Sequence, residues 1–311
     1  MKYLLKLALA SVIFIVYSCS NTSEPQNNRQ RIDLRSSDTL PSTTDSIGKQ
    51  KLIVAVSAMI SPKETFKYYE DLFNYISNKI DYEVEFKQRR TYQEVNALLA
   101  HNEVDLAFIC SGAYVIEKEN SNIEILAVPV CDGKPLYQAY IIVSDDSGIE
   151  KYDDLQGRSF AFTDPLSNTG KLYAEKRCKE LGFRSQDFFS DILYSNAHDI
   201  SMQLVAKNVV DGATIDGLIY DFIQGSYPSK VENLKVIEKS EFYGIPPVVV
   251  PAGIEPGFKA ELLAIFLSLH NDSLGKQILD NLFIDQFIEG DDQDYNSIRA
   301  CNEFVSDENT H

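Results

Sequence analysis

Residues 162–171, Phe-Thr-Asp-Pro-Leu-Ser-Asn-Thr-Gly-Lys, carry the densest chemistry in the sequence. Ser167, Asn168 and Thr169 are types that open helices, and their side chains can also donate hydrogen bonds outward. The first N–H groups of the helix they open have no intrahelical acceptor and point the same way. Such a loop can cradle a tetrahedral oxyanion, helped by the positive end of the helix. An ordinary cap at a β–α turn uses the same residues and is the alternative. Ser111, after a strand, is a further candidate donor. Taken by position alone, Tyr92 suits a half-buried aromatic at a helix start, and His198 a cap neighbour with a local hydrogen bond. Asp216 can accept a hydrogen bond from a protonated oxyanion, or cap the helix after Gly217.

The elements that must position these residues alternate between two periods. Apolar or β-branched runs at 52–56, 83–86, 105–109, 124–128 and 138–143 read as strands, separated by helical patterns at 65–79 and 92–101. The pattern restarts with strands at 159–162, 191–194, 213–215 and 234–237 and helices at 171–181, 199–207 and 218–225. One more strand at 247–250 and helices at 256–269 and 274–287 return to the first unit. An α/β protein of two lobes follows: residues 51–145, then 146–243, then 244–311 back on the first lobe. Crossings near 143–147 and 240–246 would join the lobes, and the cleft between them is the expected ligand site.

Composition narrows the partners. With 46 acidic against 29 basic residues the formal charge is −17, which disfavours nucleic acid and anionic membrane surfaces. A small anion stays compatible, because hydroxyls and helix termini bind anions without full positive charge. The five cysteines and four histidines are scattered and form no C-x-x-C pair, so neither a metal centre nor a disulfide scaffold is indicated. At the N-terminus, Lys2 and Lys6 precede an apolar run from 7 to 17 that is short for a membrane span. It ends in Val16-Tyr17-Ser18-Cys19, which resembles a bacterial lipobox and makes Cys19 the lipidated residue after removal of segment 1–19; an ordinary cleaved signal peptide is the alternative. Residues 20–50, rich in Ser, Thr, Asn, Gln and Asp, read as a flexible tether.

The segment Asp164-Pro165-Leu166-Ser167-Asn168-Thr169-Gly170 resembles the phosphate loop of PhnD-like phosphate, phosphite and phosphonate-binding proteins, D-P-x-S-x-[ST]-G. Met59-Ile60-Ser61-Pro62-Lys63, Asp105-Leu106-Ala107-Phe108, Ser111-Gly112-Ala113-Tyr114, Ala197-His198-Asp199 and Val210-Asp211-Gly212-Ala213 follow the family's order, so the likeness covers about 51–287. The resemblance implies a type II periplasmic-binding-protein-like fold, each lobe a mixed sheet flanked by helices. It implies a phosphorus oxyanion held by Ser167, Thr169, Tyr92 and His198, no cofactor, and delivery to the permease and ATPase of an ABC importer. The place is the periplasmic or cell-surface side of a bacterial membrane. Relatives that bind aminoethylphosphonate have acidic groups where this chain has Leu218 and Pro246, so phosphite, phosphate or a simple alkylphosphonate fits better. A ligand-sensing domain for a membrane receptor or histidine kinase is the other reading. A hydrolase pairing His198 with Ser167 or Ser111 has no G-x-S-x-G or Walker loop behind it.

Overall fold

A computed structural model describes residues 49–57, 59 and 61–307. Cys19, the apolar leader and the tether up to residue 48 lie outside those residues. The chain runs β1 (Lys51–Val56), α1 (Pro62–Ile80), β2 (Glu83–Gln88), α2 (Tyr92–Ala100), β3 (Leu106–Phe108), α3 (Ser111–Ser121) and β4 (Glu124–Val130). After β5 (Leu136–Tyr137) come β6 (Ala139–Ser144), β7 (Ser159–Phe162), α4 (Tyr173–Glu180), α5 (Ser185–Phe188), β8 (Asp191–Tyr194), α6 (His198–Ala206), β9 (Gly212–Asp216), α7 (Gly217–Ser226) and β10 (Leu234–Lys239). The return comprises β11 (Tyr243–Gly244), β12 (Val248–Val250), α8 (Pro256–Ser268), α9 (Ser273–Asn281), β13 (Gln286–Ile288) and α10 (Asn296–Ser306).

Two mixed sheets result, in the orders β13-β4-β12-β3-β1-β2 and β10-β6-β9-β7-β8. In the first, β1 pairs parallel with β2 and β3, and β12 lies antiparallel between β3 and β4. In the second, β7 pairs parallel with β8 and β9, while β6 and β10 run antiparallel. Central strands such as β6 are buried along their whole length, which is why they read as unbroken apolar runs. Helices cover the faces through spaced apolar residues: Leu72, Ile76 and Ile80 line one stripe of α1 and are buried. The second lobe is packed with aromatics, Phe160 stacking on Phe189 at 4.2 Å. Among the described residues the cysteines are free, and Cys110, Cys178 and Cys301 are buried.

The lobes are joined by a two-stranded ribbon, β5 paired antiparallel with β11, Tyr137 opposite Tyr243. The second crossing thus falls within 240–246, but the first falls at Leu136–Tyr137 and not near 143–147. Val143 and Ser144 belong to β6, so the second lobe's sheet begins at Ala139, before residue 146. A fully buried strand and a crossing segment share one apolar pattern, and pairing alone tells them apart. The expected helix at 274–287 stops at Asn281, and Gln286–Ile288 becomes an edge strand on β4. Helices α3 and α10 were not visible as patterns: α3 begins Ser-Gly, and α10 buries only Ile298 and Cys301.

Candidate functional site

The candidate site is built where helices begin. Tyr92, Ser111 and His198 are the first residues of α2, α3 and α6, and Asp216 is the N-cap of α7. Ser167 is the N-cap of a π-turn, Asn168–Leu172, that runs into α4. Its wider i→i+5 closure, Leu172 N–H to Ser167 O at 3.0 Å, is a geometry common at functional sites. All seven of these sequence-predicted residues are buried. Helix N-termini share one electrostatic character, so a buried point that several of them face is positive without a charged side chain. The buried polar residues, among those described, include no lysine or arginine.

Within the loop, Ser167 Oγ accepts the Gly170 N–H at 2.9 Å, which is the capping bond, and lies 3.9 Å from Cys110 Sγ, a weak partner that leaves its proton able to donate elsewhere. Asn168 Nδ2 donates to the Tyr137 hydroxyl at 3.2 Å and ties the loop to the hinge ribbon. Thr169 Oγ1 is buried without a hydrogen-bond partner, although the Thr169 carbonyl accepts the Thr214 hydroxyl at 2.5 Å. The start of α3 is pressed against the loop: a Cβ on Gly112 would meet Leu166 O at 2.4 Å and Asn168 N at 2.8 Å. Ser111 plays a different part from the one expected. Its single proton goes to Gly244 O in the hinge at 2.7 Å, so it braces the ribbon and has no proton left for an anion.

His198 is defined by its neighbours. Nδ1 accepts the Asp216 N–H at 3.0 Å, and a backbone N–H can only donate, so the neutral ring carries its proton on Nε2. Burial pushes its pKa down to about 3, so the ring is neutral at ordinary pH. Nε2 lies 3.5 Å from the Tyr92 hydroxyl, which burial keeps un-ionised. Thr163 Oγ1 stands 3.1 Å from Nδ1 on the other side. Asp216 caps α7 through Leu218 N–H at 2.8 Å, and burial, opposed by backbone N–H groups, pushes its carboxyl up to about 7. The set offers neutral donors from both lobes and one carboxyl that can hold or give up a proton near neutrality.

Three hydrogen bonds cross the cleft beside this set. Asp164 accepts the Tyr92 N–H at 3.0 Å and, through its other oxygen, the Leu166 N–H at 2.9 Å. His198 N–H reaches Met59 O at 2.9 Å, and Ser61 N–H reaches Asp199 Oδ1 at 2.8 Å. Next to the shell lies a cavity of about 640 Å³, with Asp216 and Met59 in its wall. Leu218 and Pro246 line it too. A smaller space of about 230 Å³, between α4 and the end of α10, reaches none of the shell residues. Thr163, Asp164 and Tyr137 were missed as site residues. Asp164 could have been found, since an Asp two residues before an N–H it captures is an Asx-turn signal; Tyr137 meets Asn168 across 31 residues and leaves no local trace.

The model of a family described as "ABC transporter, phosphonate, periplasmic substrate-binding protein" matches residues 54–295. The Phosphate-import protein PhnD of Mycolicibacterium smegmatis is 24% identical over 285 residues, 88% of this chain and 78% of that protein. The Phosphonates-binding periplasmic protein of Escherichia coli is 27% identical over 187 residues, 58% of this chain and 55% of its own length. Among solved structures, a binding protein component of an ABC phosphonate transporter from Pseudomonas aeruginosa superposes with TM-score 0.77 at 22% identity, covering 83% of this chain and 87% of the other. PhnD1 from Prochlorococcus marinus, solved in complex with methylphosphonate, gives TM-score 0.75 at 19% identity, covering 82% and 97%. These structural likenesses are of fold, the two-lobed arrangement of type II binding proteins.

Proposed function

The chain belongs to the family of periplasmic substrate-binding proteins of phosphonate ABC transporters, and from that premise we propose that it captures a tetrahedral phosphorus oxyanion in the shell formed by Ser167, Thr169, Tyr92 and His198. The observation that carries the reading is Thr169: a hydroxyl fully buried and unpartnered, in a loop that opens a helix, is unfavourable unless something else accepts its proton. An oxyanion supplies that acceptor, and Ser167, Tyr92 and the His198 Nε2–H can complete its coordination from both lobes. Phosphate and methylphosphonate, named for two similar proteins, are oxyanions of this kind.

The shell also indicates which protonation state is held. Burying a dianion against donors that carry no full positive charge is costly, so a single negative charge is favoured. Asp216 can share one proton with the ligand, accepting from P–OH when ionised or donating to P–O⁻ when protonated. Sulfate is a dianion at neutral pH and should be bound poorly for the same reason. An enzymatic use of the same residues fares poorly. His198 bonds to Tyr92, Thr163 and Asp216 but to neither Ser167 nor Ser111, and a ring this hard to protonate is a weak general base.

Lobe closure then presents the loaded protein to a permease and ATPase complex, with Cys19 as the lipid anchor on the outer side of a bacterial membrane and the following segment as its tether. Titration calorimetry of the mature chain against phosphate, phosphite, methylphosphonate, aminoethylphosphonate and sulfate tests the ligand class. The expected result is binding of at least one phosphorus oxyanion, poor binding of sulfate, and a loss of about 3–6 kcal/mol in Ser167→Ala/Thr169→Ala, at about 1.5–3 per bond to a charged ligand. Parental affinity in that double variant would place the ligand elsewhere.

A further inference from the structure

We infer that the oxyanion this chain captures carries an uncharged apolar organic group, and that Phe222 and Phe283 select for it; the inference rests on the anion site proposed above. The cavity of about 640 Å³ has Asp216, beside the shell, in its wall together with Met59, Tyr69, Phe108, Leu218, Pro246, Phe222 and Phe283. That volume falls within the roughly 300–1,000 Å³ of small-molecule sites and is many times the ~30 Å³ share of one water. A bare phosphate would leave most of it empty.

The charge around the cavity excludes a further anionic substituent, and the wall nearest the shell disfavours a cationic one. Asp132, Asp221, Asp280 and Asp285 also line it, all exposed, and no lysine, arginine or histidine does. A tail with further negative charge, such as a di- or triphosphate, is therefore repelled. Three of the four carboxylates are already engaged: Asp221 accepts the Tyr140 hydroxyl at 3.0 Å, Asp285 the Gly133 N–H at 2.8 Å, and Asp280 is ion-paired with Lys276. A short ammonium tail next to the anion would find Leu218 and Pro246 in the wall, and the one carboxyl there, Asp216, is the group that shares a proton with the anion itself. The wall offers apolar and aromatic surface, which an alkyl or aryl group satisfies.

Phe283 is the residue built for this purpose. Helix α9 ends in a Schellman arrangement, Ile284 N–H to Leu279 O at 3.0 Å and Phe283 N–H to Asp280 O at 3.2 Å, with Phe283 at φ +58° in the position glycine usually takes. A bulky residue there is strained, and strain kept where glycine would serve points to a use for the side chain. The conformation sends the ring across the cleft, from the first lobe onto Phe222 of α7 in the second, with ring centroids 4.9 Å apart and planes at 73°. Gly225 leaves the space for it, since a Cβ there would come within 3.1 Å of the Phe283 ring.

Calorimetry of the mature chain with methylphosphonate, benzylphosphonate, 2-aminoethylphosphonate and inorganic phosphate tests this. Benzylphosphonate is expected to bind more than about tenfold tighter than methylphosphonate, a modest gain for a ring entering an apolar pocket. Phe283→Gly and, separately, Phe222→Ala should each cut that ratio by at least about fivefold. Phe283→Gly should also melt no lower than the parent, because it releases the strained cap. Equal affinity for the two phosphonates, tightest binding of 2-aminoethylphosphonate or phosphate, or a ratio unmoved by both substitutions would overturn the inference. Should none of the four bind, the anion site itself is wrong and the inference falls with it.

Discussion

Replacing Thr169 by valine separates a hydroxyl that binds from one that merely packs. The side chain is fully buried and its Oγ1 has no partner, while its backbone carbonyl bond to Thr214 does not depend on the side chain. Valine keeps the branched shape and removes only the orphaned polar atom. A buried unpaired polar group costs about 1–3 kcal/mol, so the ligand-free variant should gain stability of that order. In the complex the same hydroxyl donates to an anion, and losing a bond worth about 1.5–3 kcal/mol should weaken binding about 10- to 150-fold. The two effects have opposite signs, so the variant's stability advantage without ligand should shrink or reverse when ligand is added. With ligand at about 1,000 times the parent's Kd, the parent gains about 4.1 kcal/mol by linkage and a variant binding thirtyfold more weakly gains about 2. Scanning fluorimetry and calorimetry with methylphosphonate read both quantities. A variant that melts lower without ligand and binds as tightly as the parent would refute the reasoning, for the hydroxyl would then be a packing element whose partner is a structural water.

Asp164→Ala leaves the Tyr92 N–H without its partner across the cleft; binding should weaken by at least about tenfold, at about 1.5 kcal/mol per bond to a charged group, and the ligand-bound radius of gyration from small-angle scattering should exceed the parent's. Unchanged closure would remove Asp164 from the clasp. Asp216, with its pKa raised to about 7, holds a proton in the folded state between about pH 4 and 7 that the unfolded chain releases, so its contribution falls as pH rises through that window. Asp216→Asn, which can still cap α7, should therefore stabilise the protein at pH 8 relative to pH 4, by on the order of 4 kcal/mol in urea unfolding; an equal effect at both pH values argues against a buried protonated carboxyl. His198 acts in the opposite sense. Its neutral form contributes stability that is complete above the ordinary value near 6.5 and fades as pH falls toward 3, so the His198→Gln variant should lose less stability than the parent between pH 7 and 4, measured the same way. Cys19→Ala should abolish fatty-acid labelling and release the protein from membranes, and label that persists excludes Cys19 as the anchor.

What the sequence made legible is what local patterning controls. The turn at 164–170 was readable as a strand-to-helix junction because capping residues, a preceding strand and a following helix are neighbours in the chain, and Tyr92 and His198 likewise stand at helix starts. Partners in the hinge ribbon were not readable. The protons of Ser111 and Asn168 go to Gly244 and Tyr137, 133 and 31 residues away, and no spacing rule connects such pairs. The first crossing was misplaced for the same reason: Leu136–Tyr137 is a short strand defined by its partner, and Val143 belongs to a sheet that local periodicity does not reveal. The end of α9 was overrun because its stop is a phenylalanine in a left-handed turn, where a reader looks for glycine.

The position of β12 bears on how the protein comes to be folded after it leaves the cell interior. This strand sits between β3 and β4, yet Val248 pairs with Phe108 only after the entire second sheet has intervened in the chain. Until residue 250 has emerged, β3 and β4 face each other across a gap, with both edges open. The second sheet needs nothing beyond the uninterrupted stretch from Ala139 to Lys239. A chain threaded outward from its N-terminus would thus present every strand of its later lobe before β12 and β13 arrive to complete its earlier one, and pairing across so long a contour is slow.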